Sequence, residues 1–96
     1  MKKNFISNGL FIPSKYLKDN NIKTTDKLII AFIIYMDKYF PEEILTTQCI
    51  AYNTDLKESA VTTGLKRLTA NGYVEINKQY YKNKDICLGK KIVILK

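Results

Sequence analysis

Ninety-six residues suffice for one domain with a modest core, and an apolar share of 46% is that of a globular chain, not a disordered one. Sixteen Lys plus Arg against nine Asp plus Glu leave a net charge of +7, which in so short a chain points to an anionic partner, nucleic acid being the commonest; a basic surface that merely aids solubility is the competing reading. The chain has no histidine, and its two cysteines, Cys49 and Cys87, fall in no metal-binding or redox spacing. Neither a metal nor a cofactor is therefore expected, and without a histidine, a placed carboxylate pair or an activated nucleophile the chain reads as a non-enzyme.

Both cysteines read as reduced, small apolar residues of a cytoplasmic protein. The opening residues 1–6 begin like a signal peptide, but Asn8-Gly9 and Pro13 interrupt the apolar run, and no segment is long enough to span a membrane. Arg67 is the only arginine. Lysine is a point charge without the planar fork that reads guanine, so attraction to phosphate should outweigh base readout. Isoleucine, lysine and asparagine, whose codons are AT-rich, are abundant and suggest an AT-rich bacterial genome or mobile element.

Taken in order, residues 4–12 are β-prone around Asn8-Gly9 and predict a short N-terminal strand or hairpin. Pro13 suits the first turn of a short helix through Lys18, with Tyr16 and Leu17 facing inward and Lys15 and Lys18 outward. Asn20-Asn21 ends it. Thr24 or Thr25 should cap a main helix, with Asp26 near its positive end, that runs to about Phe40 and stops before Pro41. The centre of this helix, from Leu28 to Met36, is apolar on every side, and a helix of that kind must be covered all round. The expectation is that one flank packs on a second subunit, making a homodimer; the alternative is a fully intramolecular core. Asp37, Glu42, Glu43 and Asp55 against Lys38 make the stretch from 37 to 55 the wrong sign for DNA, so it should face away from phosphate. Ile44-Leu45 is a candidate short strand.

From Leu45 to Val74 two helical patterns lie close together. Thr46 is a candidate N-cap for the first, which would turn Ile50 and Ala51 inward. Val61, Leu65 and Leu68 give the second a single buried face. Asn71-Gly72 closes it, and residues 73–76 switch to the period of two that marks a strand. The spacing resembles the winged helix-turn-helix of bacterial DNA-binding proteins, with Leu45, Thr46, Ile50, Ala51, Leu56, Val61, Leu65, Leu68, Gly72 and Val74 at framework positions over about a third of the chain. Thr54 and Asp55 depart from the leucine and glycine usual in the turn, and Lys57 stands where a serine or threonine often caps the recognition helix. The resemblance implies an α+β fold: a winged helix-turn-helix with three to four helices, a C-terminal β-hairpin wing and a short N-terminal strand.

The recognition helix, near 57–70, should expose Lys57, Glu58, Ser59, Thr62, Thr63, Lys66 and Arg67. Serine and threonine reach base edges or the thymine methyl group, and Lys66 and Arg67 reach phosphate. An ordinary amphipathic helix would show such a solvated face too. Beyond Gly72 the charge turns positive, with Lys78, Lys82, Lys84, Lys90, Lys91 and Lys96 against Glu75 and Asp85. Val74 and Ile76 alternate with polar residues in one strand, residues 92–95 form a continuous apolar run in another, and Gly89 marks a bulge or second bend. Between them Tyr80, Tyr81, Lys82, Asn83 and Lys84 make the expected wing tip, suited to phosphate and to the negative minor groove of A·T-rich duplexes. The DNA-contacting set is thus Lys78, Tyr80, Tyr81, Lys82, Asn83, Lys84, Lys90 and Lys91 on the wing, the recognition-helix residues apart from Glu58, and Lys15 and Lys18. The wing should contribute more than the helix, unless its lysines merely blunt an exposed edge.

Residues 11–40 followed by the helix-turn-helix also look like the winged-helix domains of plasmid replication initiators, whose small stand-alone relatives serve as relaxosome accessory proteins. That resemblance implies an origin-binding factor for plasmid transfer or replication that binds double-stranded DNA, often as a dimer, and positions a relaxase or replication protein. A transcriptional repressor of the same fold, a single-stranded DNA binder stacking bases on Tyr80 and Tyr81, and a protein-interaction domain are the alternatives.

Overall fold

The computed structural model describes residues 10–80 and 87–96, the side chains of 78–80, 87 and 88 excepted. Within them the chain is α+β, four helices followed by two antiparallel strands: α1 Ser14–Leu17, α2 Thr24–Tyr39, α3 Thr47–Thr54, α4 Glu58–Ala70, β1 Val74–Tyr80 and β2 Cys87–Ile94.

The apolar centre of α2 is the middle of the core. Ile29, Ile30, Ala31, Phe32, Ile33 and Met36 are all buried, and each of the larger side chains contributes roughly 1.5–3 kcal/mol by leaving water. Cover comes mostly from within the chain, through Ile50 of α3, Val61, Leu65 and Leu68 of α4, and Val74 and Ile92 of the strands. Leu28, Ile34 and Tyr35 stay half-covered, so the all-round apolar pattern is largely, not wholly, satisfied inside one chain. The cap expected from Thr24 or Thr25 does not form. Lys23 is the N-cap and supplies no side-chain bond, while the Thr25 hydroxyl lies 3.3 Å from Asp26 Oδ1 instead. The helix stops at Tyr39, ahead of Pro41, as the backbone restriction before proline requires.

Gly64 lets α4 lie close against α2. A β-carbon there would come within 2.6 Å of both Asp26 Oδ1 and Ile29 Cδ1. Glycine costs about 1 kcal/mol in a helix interior, and here the close approach of two helices offsets it.

Between α3 and α4 the chain turns sharply. Thr46 caps α3 by accepting the Cys49 N–H at 3.0 Å, as its position suggested. At the far end Asp55 takes the left-handed conformation (φ 58°, ψ 34°), a geometry that aspartate tolerates better than most side chains. Buried Thr54 donates to the Ile50 carbonyl at 2.6 Å and so leaves no polar atom stranded. Lys57 is the N-cap of α4 and supplies no side-chain bond. Asn71 and Gly72 (φ +76°) close α4, and the strand begins two residues later.

In the sheet Val74 pairs with Ile94, Ile76 with Ile92, and Lys78 with Lys90. Gln79 pairs with Gly89 but Tyr80 pairs with Cys87, so Leu88 is the extra residue of a bulge beside Gly89. Leu45 joins the free edge of β2: its N–H donates to the Lys90 carbonyl at 2.8 Å, and the Lys90 N–H returns the bond at 2.6 Å. Gly89 makes room for this, because a β-carbon at its φ of +146° would sit 2.7 Å from the Leu45 carbonyl oxygen. Of the expected N-terminal strand, residues 4–9 lie outside the described residues, and Leu10–Ile12 form no strand; Leu10 and Ile12 instead pack their side chains on the core. In α1, Tyr16 is buried, but Leu17 is 53% exposed and does not face in as its apolar character suggested, because a single helical turn can bury only one side.

Candidate nucleic-acid interface

Helical periodicity divides α4 cleanly. Val61, Gly64, Leu65 and Leu68 face the core, while Ser59, Thr62, Thr63, Lys66, Thr69 and Ala70 are exposed along the other side, and Lys57 is exposed just before the helix. Part of that outer side forms one wall of a groove of about 700 Å³ running between the helix and the sheet. Thr62, Lys66, Thr69 and Ala70 line it from α4, Ile76 from β1, Lys90 from β2 and Thr47 from the first turn of α3, with Leu65 as part of its floor. Four elements thus meet, because the register that packs Ile76 and Ile92 on the core also brings Lys90 beside α3, where its Nζ donates to Thr47 Oγ1 at 3.0 Å. The rim is cationic (Lys66, Lys90) and the interior mostly apolar.

Of the DNA-contacting residues expected from the sequence, Thr62, Lys66 and Lys90 meet in this groove, and Lys57, Ser59 and Thr63 lie exposed on the same helix or at its start. Lys78 is the register partner of Lys90. Tyr81, Lys82, Asn83 and Lys84, with the side chains of Lys78 and Tyr80, lie outside the described residues.

Arg67 is corrected. Its guanidinium does not reach outward for phosphate: Nε donates to Asp26 Oδ2 at 2.8 Å and Nη2 to Asp26 Oδ1 at 3.0 Å, a two-pronged pair with a carboxylate whose residue is only 2% exposed. A buried carboxylate needs a partner, and the one planar fork in the chain supplies it. The hydrogen bonds from Arg67 to Asp26 raise the guanidinium pKa further, so it stays charged.

Lys91 has a partner within the chain as well. Neighbouring strand residues point to opposite faces, so Lys91 cannot share the groove with Lys90; its Nζ donates to the Pro41 carbonyl, in a cleft lined also by Asp37 and Glu43. Two of the acids expected to face away from phosphate, Asp37 and Glu43, therefore line this cleft with Lys91 and not the groove.

Lys15 on α1 and Lys18 at its C-cap are exposed and belong to another neighbourhood, since none of the described groove residues comes from this segment. There the Tyr16 hydroxyl donates to the Lys96 carbonyl, and the Tyr73 hydroxyl donates to Asp19 Oδ2 at 2.6 Å. The Tyr73 hydrogen bond, helped by the Asn21 N–H and by Lys27 and Lys96, holds the Asp19 carboxyl below its ordinary pKa, and the same bond raises that of Tyr73.

Sequence reasoning missed Thr47, Thr69, Ala70 and Ile76. The spacing 62, 66, 69 and 70 is itself a helical stripe and was open to detection, but nothing local announces that a strand and the start of α3 complete it. Among the described residues no group of three acidic, cysteine or histidine side chains is placed to hold a metal ion, and no helix is long and apolar enough to cross a membrane. Comparison with family models, curated proteins and solved structures finds no match to this chain.

Proposed function

We propose that the chain is a winged helix-turn-helix module that binds double-stranded DNA and marks an origin-type site for plasmid transfer or replication. The observation that carries this reading is the groove, where Lys66 of α4, Lys90 of β2 and Thr47 at the start of α3 converge on one face of a chain with net charge +7. The order helix, turn, helix, strand, strand supports it, as does the Leu45 segment, which adds a third strand-like partner to the sheet edge. In this reading α4 is the recognition helix, and residues 78–84 and 90 form the wing. The exposed apolar residues Phe11 and Tyr39, beside half-covered Ile34 and Tyr35, would be shared with a second copy in a homodimer. In this reading the role is accessory: to hold DNA for a relaxase or replication protein.

The test is a mobility-shift series on duplexes cut from the gene's own neighbourhood, at two salt concentrations. Salt-sensitive binding to repeats beside a relaxase or replication gene is the expected result. Binding confined to the upstream promoter would assign a repressor instead, and stronger binding to single strands, or none to any DNA, would overturn the proposal.

A further inference from the structure

We infer that the groove between α4 and the sheet reads A·T base pairs through the thymine methyl group, an inference that rests on the DNA-binding reading above. The groove presents no guanidinium fork to guanine: the charged donors among its described lining residues are Lys66 and Lys90, point charges at the rim. The guanidinium of Arg67, the one planar fork in the chain, is held by Asp26. The two α4 threonines in the groove have turned their hydroxyl protons inward: Thr62 Oγ1 donates to the Glu58 carbonyl at 3.0 Å, and Thr69 Oγ1 to the Leu65 carbonyl at 2.8 Å. Each is a bond to the residue four positions earlier in the same helix, which uses up the hydroxyl proton and leaves the γ-methyl, beside an oxygen that can only accept, as what the side chain offers a ligand. Leu65, Ala70 and Ile76 add only hydrocarbon.

Lys66 and Lys90 at the rim fix the charge of the occupant. They suit the phosphates that flank a base edge, so an apolar interior bounded by ammonium groups matches a strand carrying methyl groups between anions. In the major groove only thymine presents such a methyl.

The experiment compares the full chain on three alternating duplex polymers: poly(dA-dT), poly(dA-dU), which differs from it only by the C5 methyl, and poly(dG-dC). Binding is followed by fluorescence anisotropy at one fixed salt concentration. Burying one methyl is worth ~0.8 kcal/mol, so poly(dA-dU) should bind about fourfold more weakly than poly(dA-dT) for one contacted methyl and about fifteenfold for two. Thr62→Ser with Thr69→Ser keeps both back-bonded hydroxyls and removes both methyls, and should erase the difference. Thr62→Val with Thr69→Val should preserve it. Equal binding of the unaltered chain to the thymine and uracil polymers would sink methyl reading while leaving DNA binding intact. A preference that survives the serine pair would remove these threonines from the account, and failure to bind any duplex would remove the DNA-binding reading itself.

Discussion

Replacing Gly64 by alanine should destabilise the protein, although alanine is the better helix former. On propensity alone the change would add about 1 kcal/mol of stability. Against that, the new methyl meets Asp26 Oδ1 and Ile29 Cδ1 at 2.6 Å each, well inside van der Waals contact. Neither neighbour can give way easily. Ile29 is fully buried, and Asp26 is gripped by both prongs of Arg67. Overpacking a tight site costs about 1–3 kcal/mol, and with two restrained neighbours the upper part of that range applies. The net loss is then about 1–2 kcal/mol, which for a domain of this size lowers the melting temperature by roughly 5–15 °C. Thermal unfolding followed by circular dichroism measures it. An unchanged or raised Tm would mean that α2 and α4 separate at no cost and that their close approach does not constrain the sequence.

Arg67→Ala should lower the melting temperature yet leave the salt dependence of DNA binding unaltered, whereas Lys66→Ala should do the converse, with stability within about 0.5 kcal/mol and a log–log slope lower by ~0.9; the opposite pattern would return Arg67 to the DNA surface. The Asp19–Tyr73 bond predicts a pH window. Asp19 titrates below its ordinary 3.8 when folded, so its contribution is complete above that pH and lost as the pH falls through the folded value; Tyr73 titrates above its ordinary 10.0, so its contribution is lost as the pH rises beyond that. Tyr73→Phe should therefore flatten the stability profile at both ends in denaturant titrations, and a profile identical to that of the unaltered chain would refute the linkage. Sedimentation should give a dimer mass that Ile34→Lys returns to a monomer; a monomer at every concentration of the unaltered chain would leave the exposed face of α2 without a partner copy.

What could be read from the sequence was what local spacing controls. Thr46 announces the start of α3, Asn71-Gly72 the end of α4, and the 61–65–68 pattern its buried face, because each depends on residues within a turn or two. The fate of charge was harder to read. Arg67 lies on the half-exposed flank of α4, and its spacing is that of a solvated cation; only the crossing with α2, made close by Gly64, brings a buried carboxylate from 41 residues away into its reach. Asp26 likewise reads as a first-turn acid that favours the helix dipole, which fits its position but not its burial. Lys90 and Lys91 look alike in sequence and part company because a strand alternates its faces. The groove was illegible for a related reason, since Ile76 and Lys90 reach it only through the register in which β1 and β2 oppose each other, and Thr47 only through the packing of α3.

With Arg67 withdrawn, the charge that α4 and its N-cap offer DNA falls to Lys57 and Lys66 against Glu58, a net of one. Residues 78–84 carry Lys78, Lys82 and Lys84 without an acid among them. Each lysine that neutralises a phosphate contributes ~0.9 to the slope of log affinity against log salt. Changing Lys82 and Lys84 together to alanine should therefore flatten that slope by ~2 units and weaken binding to all duplexes alike, because phosphate contacts carry no sequence information. Changing Thr62 and Thr63 should leave the slope where it was and alter only the preference among sequences. If the threonine changes cost as much affinity as the lysine pair, and the lysine pair proves harmless, α4 would be the main source of affinity and the division between an electrostatic ribbon and a methyl-lined helix face would be wrong.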